Sequence, residues 1–211
     1  MTYKKIDLKT WERKEHFEGF MESGTSFSIT TKLDVTLFYK RIKEKKLKFY
    51  PTFIHQVTQV VNEFDCFKIG FNGNQELVLW DHVEANYTIN SKVSDNFISV
   101  WTPWHKEVSN FQELYLETLN QHETSRKMAP QVDMPLNLFV ISMLPWISFD
   151  SFNLNINNNE TFLAPIITAG KMIEQQDKKL LPVAIQVHHA TSDGYHVALL
   201  VDKLQIQFNQ F

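Results

Sequence analysis

The sequence predicts an α+β fold: a large mixed β-sheet flanked by helices. Three observations lead there. Segments with strand-like alternation outnumber segments with helical periodicity, so a sheet dominates. Two apolar runs flank Asn72-Gly73-Asn74, which marks a hairpin and therefore antiparallel pairing. No low-complexity linker or internal repeat divides the 211 residues, so the expectation is a single domain over 1–211.

Each element follows from local chemistry. Residues 10–20 read as a short helix with Thr10 as N-cap. Residues 26–33 alternate as a strand does. Asp34 then caps a charged helix running to about Lys46, and Pro51 opens another, with Phe53, Ile54, Val57, Val60, Val61 and Phe64 on one face. The hairpin comprises 68–71 and 77–80. Further strands are expected at 84–90 and 97–102. Ser109 with Gln112 has the spacing of a capping box for a helix to about Lys127. Strand-like runs follow at 137–144, 147–155, 162–171 and 180–188, with a short Asn-rich turn at 153–159. A last helix from about Tyr195 buries Val197, Leu200, Val201, Leu204 and Phe208.

Composition narrows the function. With 43% hydrophobic and 21% charged residues, and with 17 Phe, 6 Tyr and 5 Trp, the chain can fill a core without disulfides or metal. A net charge of −3 lacks the basic footprint of a general nucleic-acid binder. One cysteine, Cys66, forms neither an internal disulfide nor a thiolate cluster and suits a reducing compartment. The first 14 residues contain no long apolar stretch, and nowhere do 18 apolar residues run together, so neither a signal peptide nor a membrane span is expected. Sequons at Asn86 and Asn159 would matter only in a secreted protein. The expectation is a soluble cytoplasmic protein. Six glycines are too few and too scattered for a dinucleotide loop, a P-loop or a G-x-S-x-G elbow.

The informative stretch runs from Leu181 to His196. An apolar strand ends in His188 and His189, then Asp193 and Gly194 turn the chain into a helix. Adjacent strand side chains point to opposite faces, so the two histidines cannot share one site. Three readings remain open on these residues alone. The histidines could be satisfied core groups with the aspartate a helix cap. His188, His189, His196 and Asp193 could hold a metal, although alternation separates the first pair and no Cys or H-E-x-x-H supports it. Or one histidine is a general base at a strand end with Asp193 organising its loop.

These residues carry a resemblance. His188-His189-Ala190-Thr191-Ser192-Asp193-Gly194 fits H-H-x-x-x-D-G, the signature of coenzyme A-dependent acyltransferases, shared with dihydrolipoyl acyltransferase cores and peptide-synthetase condensation domains. Over nearly the whole chain the sequence more closely resembles type-A chloramphenicol acetyltransferases. The matching segments are Trp11-Glu12-Arg13-Lys14-Glu15-His16-Phe17, Lys48-Phe49-Tyr50-Pro51, the run from Pro145-Trp146-Ile147-Ser148-Phe149-Asp150 through Ser151-Phe152-Asn153-Leu154-Asn155, and Ala164-Pro165-Ile166-Ile167-Thr168, in family order and near-family spacing.

The resemblance implies the coenzyme A-dependent acyltransferase fold and a direct acetyl transfer from acetyl-coenzyme A to the 3-hydroxyl of chloramphenicol, conferring antibiotic resistance. His189 is then the general base, Ser142 donates to the tetrahedral oxyanion, and Thr168 holds a water in the same pocket. Asp193 and Arg13 match a salt-bridged pair that supports the histidine loop. Lys48 and Lys171 match cofactor-binding positions near the 3′-phosphate of coenzyme A, while Phe20, Phe152, Leu154 and Ile166 match acceptor-binding positions. No metal and no tightly bound cofactor is implied; acetyl-coenzyme A is a co-substrate. Met172 stands where many members carry a tyrosine that stacks on adenine, the segment after Phe20 is about one residue shorter, and Thr191, Ser192 and Tyr195 replace Val, Cys and Phe. One lobe cannot supply both walls of a site that condensation domains build from two lobes, so a second copy must supply the other wall; a closed ring solves this, and the resemblance implies a homotrimer with active sites at the subunit interfaces. Other readings are an O-acetyltransferase with a different hydroxylated acceptor, or a drug- or coenzyme A-binding protein that has lost catalysis.

Overall fold

A computed structural model describes residues 1–154 and 162–211. In chain order its elements are β1 (Tyr3–Lys5), α1 (Lys14–Ser23), β2 (Ser26–Asp34), α2 (Thr36–Glu44), α3 (Phe49–Val61), β3 (Ile69–Phe71), β4 (Leu77–Trp80), β5 (Glu84–Asn90), β6 (Phe97–Trp101), α4 (Val108–His122), β7 (Leu138–Met143), β8 (Ile166–Ala169), β9 (Ile173–Gln175), β10 (Lys178–His188) and α5 (Gly194–Gln210). The main sheet has the order β2-β10-β8-β7-β5-β6, with β9 folded onto β10; a small sheet, β1-β4-β3, stands apart. Strand β7 runs parallel to both β5 and β8, and the other pairs are antiparallel, so the main sheet is mixed.

Strand alternation makes the sheet two-faced. Val183, Ile185 and Val187 of β10, Phe139 and Ile141 of β7, and Tyr87 of β5 are buried in one cluster with Phe38, Phe53, Val57, Phe111, Leu200 and Phe208 of the helices. The intervening residues, Ser28 and Thr30 of β2, Gln186 of β10, Thr168 of β8 and Ser142 of β7, face the other way and are polar.

Most expected elements form, with shifted ends. Helix α1 starts at Lys14 rather than at residue 10, because Thr10 sits in a turn whose N–H donates to the Asp7 carbonyl, and α1 ends on Gly24 in the left-handed conformation (φ 59°). Asp34 does serve α2, its carboxylate accepting the Thr36 N–H at 3.0 Å and the Thr36 hydroxyl at 2.6 Å, one residue ahead of the N-cap Val35. Pro51 lies in the first turn of α3, where its missing N–H costs nothing, and Phe64 falls beyond the helix end. The hairpin forms with Gly70 opposite Val78, through a loop in which the Asn72 side chain accepts the N–H groups of Asn74 and Glu76. No capping box forms at Ser109: α4 starts at Val108 and ends at His122, and the Gln112 amide oxygen instead accepts the Lys48 N–H at 2.6 Å. Asn86 of the first sequon is inside β5, buried, with its side chain accepting the Ser99 hydroxyl.

The run 147–155 departs most. Residues 144–154 leave β7 and cross the polar face of the sheet as a strap rather than joining it. The strap's N–H groups meet side chains: Phe152 donates to Thr30 Oγ1 at 3.2 Å and Leu154 to Gln186 Oε1 at 2.8 Å, while Asp150 pairs with Lys32 at 2.7 Å. Of 162–171 only Ile166–Ala169 is a strand, and β9, a separate strand at Ile173–Gln175, went unpredicted. Asn155, Asn159 and most of the expected Asn-rich turn lie outside the described residues.

Candidate active site

Helix α5 and the end of β10 build the loop that the sequence singled out. Asp193 is the N-cap of α5, its carboxylate accepting the third-position N–H, while His196 Nδ1 accepts the Asp193 N–H at 2.9 Å. That occupies His196 as a capping group and removes it from the metal reading; among the described residues no three His, Cys, Asp or Glu side chains converge as metal ligands. His188 is buried, and its Nδ1 accepts the Ala190 N–H at 3.1 Å. His189 has a side chain 30% exposed and lies on the opposite parity of the strand.

Three contacts fix the His189 imidazole. Its Nδ1 is 3.1 Å from the Ser192 carbonyl oxygen. A carbonyl only accepts, so in the neutral ring the proton sits on Nδ1 and the Nε2 lone pair is free to take a proton. Phe20 stacks on the ring at 3.9 Å with planes 8° apart, and Phe27 meets it edge-on at 5.0 Å. The backbone is held as well, the His189 N–H donating to the Thr25 carbonyl at 2.9 Å.

Arg13 clamps the loop from α1. Its Nε donates to Ala190 O at 2.8 Å, Nη2 to His189 O at 2.9 Å, and Nη1 and Nη2 grip the two Asp193 oxygens at 2.8 and 2.6 Å. The guanidinium holds the Asp193 carboxyl below the usual carboxylate range. Asp193 Oδ1 is also 3.3 Å from His189 Nδ1, so the carboxylate lies against the ring's Nδ1 edge, away from Nε2. Cys66 lies beside Ser192 on the far side of this loop; burial pushes its thiol up to about 11, so it is no nucleophile.

A second constellation sits on the polar sheet face. Ser142 and Thr168 are opposite each other across β7 and β8, with Ser142 Oγ 2.9 Å from Thr168 Oγ1. Register extends that row through Ala184 of β10 to Thr30 of β2. The next row holds Ile166, Gln186 and Ser28, and the strap brings Phe152 and Leu154 over these two rows. Thus Ser142, Thr168, Phe152, Leu154 and Ile166 gather on this face, whereas Phe20 goes to the ring of His189. Lys48 is exposed at the N-cap of α3 and Lys171 is exposed just beyond β8, its N–H donating to the Ile147 carbonyl at 2.8 Å; Met172 is half-buried against the core.

The two constellations are far apart in one chain. His189 lies five residues along β10 from Ala184, about 17 Å at strand rise, and Ser142 is two strands to the side, about 10 Å more. Sequence reasoning missed Gln186, Thr30 and Phe27. Gln186 left a signal, a lone amide in the apolar run 181–187. The others left none, since threonine and phenylalanine are ordinary strand residues.

Comparisons with known proteins give the family and the fold. The family model described as Chloramphenicol acetyltransferase matches residues 1–205. A chloramphenicol acetyltransferase of Staphylococcus aureus is 44% identical over 205 residues, covering 97% of this chain and 95% of that protein. Chloramphenicol acetyltransferase 3 of Escherichia coli is 38% identical over 206 residues, covering 97% and 96%. Among solved structures, a chloramphenicol acetyltransferase superposes with a TM-score of 0.88 at 23% identity, covering 98% of this chain and all of that one. The cubic core of a pyruvate dehydrogenase multienzyme complex gives 0.69 at 16% identity, covering 92% and 86%, a likeness of fold.

Proposed function

The chain belongs to the chloramphenicol acetyltransferase family, and from that premise we propose that two copies of it assemble each active site, one supplying His189 and the other Ser142 and Thr168. The reaction is O-acetylation of chloramphenicol, with acetyl-coenzyme A as the family's co-substrate. In our reading the acceptor is the drug's 3-hydroxyl and transfer is direct. The His189 Nε2 lone pair removes the hydroxyl proton, the alkoxide attacks the thioester carbonyl, and the Ser142 hydroxyl donates to the oxyanion that forms. Collapse of the tetrahedral intermediate expels the coenzyme A thiolate, which takes up the proton held on Nε2. Thr168, 2.9 Å from Ser142, orients that hydroxyl and holds a water beside it. The acetylated drug is inactive as an antibiotic, which is resistance.

The observation that carries the base assignment is the Ser192 carbonyl on His189 Nδ1, because it fixes the tautomer that catalysis needs. The shared site is supported by the separation of the two constellations, which no single acetyl group spans, and by a polar sheet face that a second copy would cover. A ring of three satisfies such a head-to-tail contact with closed symmetry. Lys48 and Lys171 are assigned to the 3′-phosphate of coenzyme A, and Phe152, Leu154 and Ile166 to the acceptor wall. A cytoplasmic location, where acetyl-coenzyme A is made and Cys66 stays reduced, belongs to the same reading.

The test combines two inactive variants. Purified His189→Ala and Ser142→Ala chains are each expected to release little thiol from acetyl-coenzyme A with chloramphenicol. Unfolded and refolded together in equal amounts, they recover about a quarter of wild-type activity, since half the sites receive an intact histidine and half of those an intact serine from the neighbour. Light scattering should give about three times 24.8 kDa. No recovery from a correctly assembled mixture, or an active monomer, would refute the shared site.

A further inference from the structure

Backbone hydrogen bonds tie the start of the strap to the sheet end, through Leu144 N–H to Ala169 O and Lys171 N–H to Ile147 O, whereas from Asp150 to Leu154 it keeps the spacing of a strand and meets the sheet through side chains. Asp150, Phe152 and Leu154 meet Lys32, Thr30 and Gln186 in turn, one contact per sheet row, and rows repeat every two residues, about 6.8 Å. The height of this distal part over the sheet is therefore set by side chains. Those side chains lie around a floor made by Ala184, the smallest residue of the row that also carries Thr168 and Ser142.

Gln186 is the best built of these supports. It is 6% exposed, near the C-terminal end of β10, and directly opposite Ser28 on one side and Ile166 on the other. Its Oε1 accepts two hydrogen bonds, from Ser28 Oγ at 3.1 Å and from the Leu154 N–H at 2.8 Å. Two donors on one oxygen fix the amide plane. The Nε2 group then has no acceptor among the described residues, and a small cavity lined by Gln186, Ile166, Ala164 and His188 adjoins it. A buried donor left in this way favours a water at that point. The amide thus fixes Leu154 from below, and a polar group in the otherwise apolar run 181–187 serves no purpose in the core, because it faces away from the core.

We propose that Gln186, assisted by Thr30, is a positioning residue that sets acceptor specificity: it holds Leu154 and Phe152 at the height over the Ala184–Thr168–Ser142 row that fits chloramphenicol. The inference rests on the assignment of Phe152, Leu154 and Ile166 to the acceptor wall. It separates the two substrates, since the supports touch the acceptor wall and neither of the lysines assigned to coenzyme A.

The experiment is steady-state thiol release by the assembled protein, varying each substrate in turn, for wild type, Gln186→Met and Thr30→Val. Methionine keeps the volume of glutamine and removes the amide; valine keeps the shape of threonine and removes the hydroxyl. In each variant KM for chloramphenicol should rise about tenfold, the effect of one lost hydrogen bond on a binding step, while kcat and KM for acetyl-coenzyme A stay within about twofold. A loss confined to kcat, or equal loss for both substrates, would overturn the positioning role. If Gln186→Met fails to assemble, Thr30→Val alone decides, because Thr30 is only partly buried, lies outside the core cluster, and its replacement leaves the core untouched. An active wild type with unchanged variants overturns this inference alone. A wild type that releases no thiol with chloramphenicol overturns the acetyltransfer reading, and this inference with it.

Discussion

Arg13→Ala separates the support of the base from the base itself. Truncation removes four hydrogen bonds, two to the backbone carbonyls of His189 and Ala190 and two to the Asp193 carboxylate. The carboxylate side chain is 37% exposed and regains water when its partner is lost, so that pair contributes about 1 kcal/mol. The two carbonyl bonds come from a guanidinium only 18% exposed. They contribute about 1 kcal/mol each, for about 3 kcal/mol in all. In a domain of this size the midpoint of thermal unfolding should fall by about 6–12 °C. Kinetically the loop is free to shift, and a displacement near 1 Å lowers kcat about a hundredfold with His189 still in place. The assay pairs a circular-dichroism melt with thiol release measured well below the lowered midpoint. Arg13→Lys keeps the charge and loses the fork, so it should recover part of the stability and little of the rate. A variant that melts early yet retains full kcat would refute the claim that the clamp positions the base. An unchanged midpoint would refute the energy accounting.

Two more perturbations follow from the same geometry. Arg13 holds the Asp193 carboxyl below its ordinary value of 3.8, so the pair's stabilisation is present above that pH and is lost as pH falls through the lower folded value. Asp193→Asn should therefore melt earlier than wild type at pH 6, with the gap closing below pH 3.8 in melts taken across the acid range; a constant gap would refute the linkage. Gly170→Ala would bring a Cβ to 2.7 Å from Phe149 and 2.9 Å from Pro182, both ring atoms without an easy escape. The expected cost is about 1–3 kcal/mol, read by chemical denaturation, and a neutral result would mean the strap moves freely over that position.

The elements legible in the sequence were those whose pattern is set locally. Residues 26–33 and 84–90 alternate because one sheet face packs on helices, and β2 and β5 form where expected. The loop from His188 to Gly194 was legible as a candidate because two histidines, an aspartate and a glycine stand together where an apolar strand ends, and only the resemblance singled out His189 among the readings left open. What failed were features set by distant partners. Gln112 has the spacing of a capping residue, yet the backbone N–H of Lys48 claims it from 64 positions away. The strap alternates like a strand because it lies on a sheet, and only the Thr30 and Gln186 side chains reveal that it lies on top rather than alongside. The acceptor position that resemblance gave Phe20 is not what failed; what went unread is the parallel stacking of its ring on an imidazole, which nothing in the helix pattern of 10–20 signals.

The distance between the His189 loop and the Ser142 row has a genetic consequence. If each chain contributes a proton acceptor to one neighbour and an oxyanion donor to the other, a damaged chain is carried into two sites at once. A lesion at both His189 and Ser142 leaves one working site in a trimer with two sound partners, whereas a lesion at either position alone leaves two. Defective copies would therefore depress resistance in proportion to how many functions they lack, even in a cell that also makes the intact protein. Newly made chains, before they meet, would hold acetyl-coenzyme A beside no complete catalyst, which spares the thioester from hydrolysis until assembly is finished.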